Sequence, residues 1–238
     1  MDALLSRTEM LFGEEAMEKL RRSHVLLLGL GGVGSYAAEA LCRGGVGALT
    51  LVDSDTVSLS NRNRQLYALE STTGRAKVDV ARERLADIRP DCRIETIRAF
   101  YLPENADSFF TQTYDYIADA IDTVAAKIDL AVRAEQMGIP ILSCMGTGNK
   151  LHPERLRISD IQKTSVCPLC RVMRYELRQR GIRHLNVVWS DETPLEPLFC
   201  GEDNTRRRGL PGSTSFVPAA AGMLMASRII LDLTGETR

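Results

Sequence analysis

The sequence lacks most of the features that mark a specialised environment. Among its 238 residues no uninterrupted apolar run reaches the roughly 18 to 20 residues needed to span a bilayer. The most apolar late stretch, FVPAAAGMLMASRIILDL, carries Arg228 and Asp232 inside it, so a buried helix is expected there and not a membrane anchor. The beginning, MDALLSRTEM, has an acid at its second position and no apolar core of a secretory signal, which points to a cytoplasmic protein. An excess of one charge is also absent. Thirty Lys and Arg face 31 Asp and Glu, and a net charge of -1 gives no global pull toward nucleic acid or anionic lipid. Any such partner must be held by a local patch. The six cysteines, at 42, 92, 144, 167, 170 and 200, fall mostly in apolar or helical contexts and suggest reduced thiols, not a disulfide framework. No internal repeat and no compositional linker divides the chain, so residues 1–238 are read as one domain.

What is present is an alternation. HVLLLG, ALTLVD, RIETIRA, DYIADA and IPILSC are short apolar runs of strand length, and SYAAEALCR, GRAKVDVARERLADI and TVAAKIDLAVRAEQMG between them have helical spacing. Strand alternating with helix implies an α/β fold, a Rossmann-like, mostly parallel sheet with helices on both faces. GEEAMEKLRRS, acidic first and basic last, reads as a short leading helix. Beyond residue 145, RLRISDI and NVVWS read as strands, SVCPLCRVMRYELRQRG as a helix, LEPLFCGEDNTRRRGLPGST as an irregular polar loop, and a last helix begins near Pro218. This region extends the sheet at its C-terminal side.

The chemistry concentrates around GLGGVG. A strand, then Gly29, Gly31, Gly32 and Gly34, then a helix turns the chain tightly and aims backbone N–H groups at a phosphate. Asp53 ends the next strand, 19 residues after Gly34, where an acid takes ribose hydroxyls. To this point NAD and ATP fit equally well. The following DSDTVSLSNRNRQ, with Asp55, Asn61, Arg64 and Gln65, and then Lys77 in GRAKVD, supply a charge set suited to a polyphosphate. ATP is therefore favoured. In DAIDT, Asp119 and Asp122 end the fourth strand beside the crevice where open sheets bind ligands, and Asp122 is the candidate for Mg2+. Its bland alternative is a helix cap for the segment beginning at Thr123.

In combination, GLGGVG, D-x-D-T-V-S-L-S-N-x-N-R-Q, G-x-x-K and D-x-x-D-x resemble the ATP-dependent activating enzymes related to ubiquitin-activating enzyme and to the adenylyltransferases of molybdopterin and thiamine biosynthesis. The resemblance spans roughly residues 6–145. It implies adenylation of a carboxylate, ribose binding by Asp53, ATP contacts by Asn61, Arg64, Gln65 and Lys77, and magnesium at Asp122. It also implies a homodimer, with Arg7 of one subunit reaching the phosphates of the other.

The second half bears on which carboxylate is activated. Relatives that activate sulfur-carrier proteins usually bind zinc through two C-x-x-C pairs and use a catalytic cysteine, whereas here only Cys167 and Cys170 form such a pair, too few for four thiolates. Residues 151–183 hold eight bases and three acids, a net +5. Arg171, Arg174 and Arg178 fall on one helical face, opposite Met173 and Leu177, a pattern that suits a phosphate backbone but also an ordinary solvated face. SRTEMLFGEEAMEKL, SCMGTGNKLHP, DIQKTSVCPLCRVMRYELRQRGI and GSTSFVPAAAG resemble the tRNA threonylcarbamoyladenosine dehydratase branch. That likeness implies activation of the threonyl carboxylate beside the anticodon and its closure to a cyclic form, with net loss of water. A tethered nucleophile needs no enzyme thiol to carry the acyl group. The alternative is an enzyme that adenylates the C-terminus of a sulfur carrier; a nicotinamide oxidoreductase is disfavoured by the phosphate-facing bases. A sulfur-relay partner stays open.

Overall fold

The computed structural model describes residues 3–198 and 211–236. Seven strands form one sheet: β1 (His24–Leu28), β2 (Ala48–Val52), β3 (Arg93–Ile97), β4 (Tyr116–Asp119), β5 (Ile141–Cys144), β6 (Leu156–Asp160) and β7 (Asn186–Ser190), in the order β3-β2-β1-β4-β5-β7-β6. All neighbours are parallel except β6 and β7, so the antiparallel pair forms one margin of an otherwise parallel sheet. The expected alternation is present, with β6 and β7 extending the sheet as read.

The central strands show why. Every residue of β1, β2 and β4 is buried, as in strands covered on both faces, while edge strand β3 is partly exposed throughout. Leu26, Leu27 and Leu28 have no exposed surface, and burying each such side chain stabilises by about 1.5–3 kcal/mol. On one face β1 and β2 pack against α2 (Gly34–Gly44), α3 (Lys77–Ile88) and α6 (Val217–Thr234). On the other, α4 (Val124–Met137) covers Leu26, Leu28 and Ile117, together with Tyr101 and Phe109. A separate apolar cluster, built on Met173, Leu177 and Trp189, lies under α5 (Pro168–Gln179).

One helix departs from its sequence reading, and the last helix follows it. The leading helix α1 spans Ser6–Arg22, longer than GEEAMEKLRRS suggests, with non-helical backbone at Gly13. Its added first part carries Arg7 and leaves Met10 and Leu11 80% and 86% exposed. Helix α6, by length and composition, is the one described helix able to cross a bilayer. It instead buries Ala221, Met225 and Ile229 in the core, and Arg228 bonds Asp232 at 2.8 Å along its own surface. Most of the polar loop before it, residues 199–210 including Cys200, lies outside the described residues.

Candidate active site

Strand order reverses between β1 and β4, which leads the chain away from β1 in opposite directions and leaves a crevice at the strand ends. A cavity of about 520 Å3 opens there. Its floor is the glycine turn. Gly29 has φ of +91°, and a Cβ on Gly34 would lie 1.7 Å from the carbonyl oxygen of Gly29, so the return of the chain into α2 requires glycine. Of the four glycines, Gly29, Gly31 and Gly32 line the cavity, and Gly34 shapes the turn from behind.

Asp53 anchors the next wall. Its carboxylate accepts the backbone N–H of Leu30 at 2.7 Å and of Asp55 at 2.8 Å, tying the end of β2 to the glycine turn. Burial raises its pKa above the ordinary carboxylate range, against the pull of Lys77 and of those two N–H donors. Lys77, at the first turn of α3 and 5% exposed, reaches the same place. Its ammonium lies 2.7 Å from Asp55 Oδ2 and 3.8 Å from Asp53 Oδ1. The acid expected to meet a ribose and the base expected to meet a phosphate therefore sit side by side.

Asn61, Arg64 and Gln65 line the cavity from a tight turn after β2. Asn61 is spent partly on structure: its side-chain oxygen accepts the Ser58 N–H at 3.1 Å and shapes the 3-10 turn Leu59–Asn61. Arg64 is braced by the Ser60 carbonyl at 3.1 Å and the Asn63 side chain at 2.9 Å. Asp122 is an exposed wall residue. It is not the cap of α4, since Thr123 holds that position and makes no side-chain capping bond. A single carboxylate facing a polyphosphate-sized cavity fits Mg2+, which is commonly held by one or two carboxylates, waters and substrate phosphates.

Asp119 is a correction. The sequence places it beside Asp122 at the crevice, yet it is fully buried and turned into the protein. It accepts Lys127 Nζ at 2.9 Å and the Ser143 hydroxyl; Lys127 also donates to the Cys144 carbonyl at 2.7 Å. Even the last residue of β4 is still inside the sheet, and of the two acids only Asp122, in the loop beyond, faces the cavity.

Arg7 does not line this cavity within one chain. The arginine stripe on α5 is also divided: Arg171 and Arg178 are exposed, but Arg174 bends back to the carbonyls of Ile161 and Thr164 at 3.2 and 3.1 Å and to the Thr164 hydroxyl. The spacing put all three on one face; a neighbouring turn draws the middle one to the Thr164 carbonyl and hydroxyl.

Several wall residues escaped sequence reasoning: Ala99, Phe100 and Tyr101 after β3, Met145–Gly148 after β5, and Pro211–Ser213 before α6. Their common signal is position, since each follows a strand that ends at the same edge or precedes the helix packed on the glycine turn. The wall also contains Cys144, whose thiol burial pushes up to about 12. It is protonated at neutral pH and poorly suited to attack.

Fold and site together define a Rossmann-like α/β protein whose cavity combines a glycine turn with acidic and basic side chains suited to a nucleotide. The chain belongs to the ThiF family, which it matches across residues 5–237. It is 44% identical to the tRNA threonylcarbamoyladenosine dehydratase of Bacillus subtilis, over 96% of this chain and 93% of that protein. The Escherichia coli tRNA N6-threonylcarbamoyladenosine dehydratase, solved in complex with ATP, superposes with a TM-score of 0.88 at 32% identity, covering 99% and 97% of the two chains. Likeness to the molybdopterin-synthase adenylyltransferase of Haemophilus influenzae, at 38% identity, covers only 54% of this chain and 53% of that one.

Proposed function

We propose that this protein is an ATP-dependent tRNA threonylcarbamoyladenosine dehydratase, acting on the modified adenosine beside the anticodon. The observation that carries the reading is the extent of the likeness. Relatives named for this reaction match nearly the whole chain, β6, α5 and β7 included, whereas a carrier-protein adenylyltransferase matches about half.

In this reading ATP lies across the glycine turn, with its ribose on Asp53 and its phosphates on Arg64, Lys77 and the N-terminus of α2. Lys77 exchanges Asp55 for phosphate as its partner, and Asn61 and Gln65 fix the polyphosphate path. The threonyl carboxylate attacks the α-phosphorus and pyrophosphate leaves. An internal nucleophile of the carbamoyl group then closes on the activated acyl carbon and expels AMP, so the nucleoside loses water. Asp122 would hold Mg2+, which supplies charge neutralisation to the phosphates.

The exposed Met10 and Leu11 beside Arg7 support a homodimer in which this face is covered by a second copy. Arg7 then completes the partner's site. Exposed Arg171 and Arg178, neither ion-paired among the described residues, support a tRNA-backbone contact on α5. This is a cytoplasmic activity on one ThiF-type domain. Its test is nucleoside analysis of tRNA incubated with protein and ATP. Conversion of threonylcarbamoyladenosine to a species about 18 mass units lighter, the water lost on closure, is expected. An unchanged nucleoside with a carrier protein adenylated instead would replace the proposal.

A further inference from the structure

One motif takes no part in adenylation: Cys167-Pro168-Leu169-Cys170. Cys167 caps the N-terminus of α5, Pro168 occupies its first turn, and Cys170 follows within that turn. Cys167 makes no side-chain capping hydrogen bond; the neighbouring Cys170 thiol and the N–H groups of Leu169 and Cys170 are the donors that favour negative charge on its sulfur. These donors, with the positive end of a 12-residue helix, favour the Cys167 thiolate, and its pKa falls to about 6. The nearby Cys167 sulfur, with burial, pushes the Cys170 thiol far up, so it keeps its proton. A nucleophile and its protonated partner thus stand one turn apart.

A second observation lies across from them. Lys150 is 3% exposed, and its ammonium has no hydrogen-bond acceptor among the described residues. A buried ammonium without a partner is costly. Its charge acts on the sulfurs of Cys144 and Cys167, and of these Cys167 is the one that ionises. Val166, just before Cys167, is a β-branched residue at φ of +45°, a strained conformation held in place by its surroundings. Ser165, Val166 and Pro168 are all exposed, so a single turn of chain covers the thiolate.

In the core pair Cys42 and Cys92 the first thiol is likewise lowered by the second, and Arg89 and Arg43 act on it, but the placement differs. Cys42 donates to the Leu85 carbonyl at 3.7 Å and Cys92 to the Val46 carbonyl at 3.2 Å, neither begins a helix, and no unpartnered lysine acts on them.

We propose that Cys167 and Cys170 are a dithiol–disulfide couple that exchanges with low-molecular-weight disulfides at the rim of the nucleotide cavity. The Cys167 thiolate attacks one sulfur of the external disulfide, whose S–S bond breaks and releases one thiolate, which takes a proton from water. The resulting mixed disulfide on Cys167 is attacked by Cys170, which gives its proton to solvent as the second external thiolate leaves and is protonated. Two electrons and two protons pass from the dithiol to the external disulfide. Leu169, between the cysteines, lines the nucleotide cavity, so the bond closes against the wall of the site.

The test uses the full chain equilibrated with oxidised glutathione, then acid-quenched, alkylated and analysed by mass. The wild type is expected to lose about 2 mass units and two alkylatable thiols, with residues 167 and 170 joined in one peptide. Cys170→Ser should stop at a glutathione adduct on Cys167, and Cys167→Ser should take up no glutathione at Cys170. A thiolate absorbance titration of the wild type should show a midpoint near 6 that is missing in Cys167→Ser. A wild type that keeps both thiols under excess oxidised glutathione, or that oxidises Cys42 and Cys92 first, overturns the couple.

Discussion

The two halves of the sheet use charge in opposite ways. Around β1, β2 and β4 the buried lysines are each matched by an acid: Lys77 by Asp53 and Asp55, Lys127 by Asp119. Around β6, α5 and β7 the bases outnumber the acids, and Arg171, Arg178, Lys163 and Arg183 stand exposed without an ion pair among the described residues. The first arrangement holds a small charged ligand in fixed geometry. The second suits an extended polyanion, bound by many weak contacts instead of one tight pocket.

The sharpest way to break the contrast is to unmatch one inner pair. Lys127→Met leaves the Asp119 carboxylate buried without its ammonium, and a loss of about 3–5 kcal/mol is expected in urea unfolding. The double variant Lys127→Met, Asp119→Leu should recover most of it. If the single variant unfolds like wild type, the pair does not support the floor of the site.

Asp122→Ala removes an exposed carboxylate and should leave the unfolding midpoint in place. Pyrophosphate release should nevertheless fall on the order of 100- to 1000-fold, the several kcal/mol a lost metal contact costs. Wild-type turnover would assign the metal elsewhere.

On the outer half, Arg171→Glu and Arg178→Glu should each weaken tRNA binding by roughly tenfold at low salt and flatten its salt dependence by about one counterion, with ATP affinity unchanged. Arg174→Glu should behave differently, costing about 1–3 kcal/mol of stability as the Thr164 carbonyl loses its donor. Equal effects of all three on tRNA alone would restore the undivided stripe.

The smallest effect concerns the dimer. Arg7→Ala and Lys77→Ala, each inactive alone, should regain roughly a quarter of wild-type activity when mixed under subunit exchange, since half the dimers then carry one intact site. No recovery with exchange demonstrated would place Arg7 in its own subunit's chemistry.

The sheet was legible because strand-length apolar runs alternate with helical spacing, and buried parallel strands leave little else for those runs to do. The glycine turn, Asp53 and Lys77 were legible because their spacing ties them to strand ends. The failures were local. Asp119 and Asp122 differ by three positions, and no sequence pattern says which of them clears the sheet edge. Arg174 has the right periodicity, but the carbonyls that take it belong to a turn ten or more residues earlier. The wall from Met145 to Gly148 depended on which strands end together, a property of topology. Asn61 shows that a cavity-lining and a turn-forming residue can be one side chain.

The most direct test is pyrophosphate release from ATP with three acceptors in parallel: tRNA carrying threonylcarbamoyladenosine, the same tRNA without it, and a small sulfur-carrier protein. Release that depends on the modified tRNA alone is the predicted result. Release driven by the carrier protein and indifferent to tRNA would contradict it.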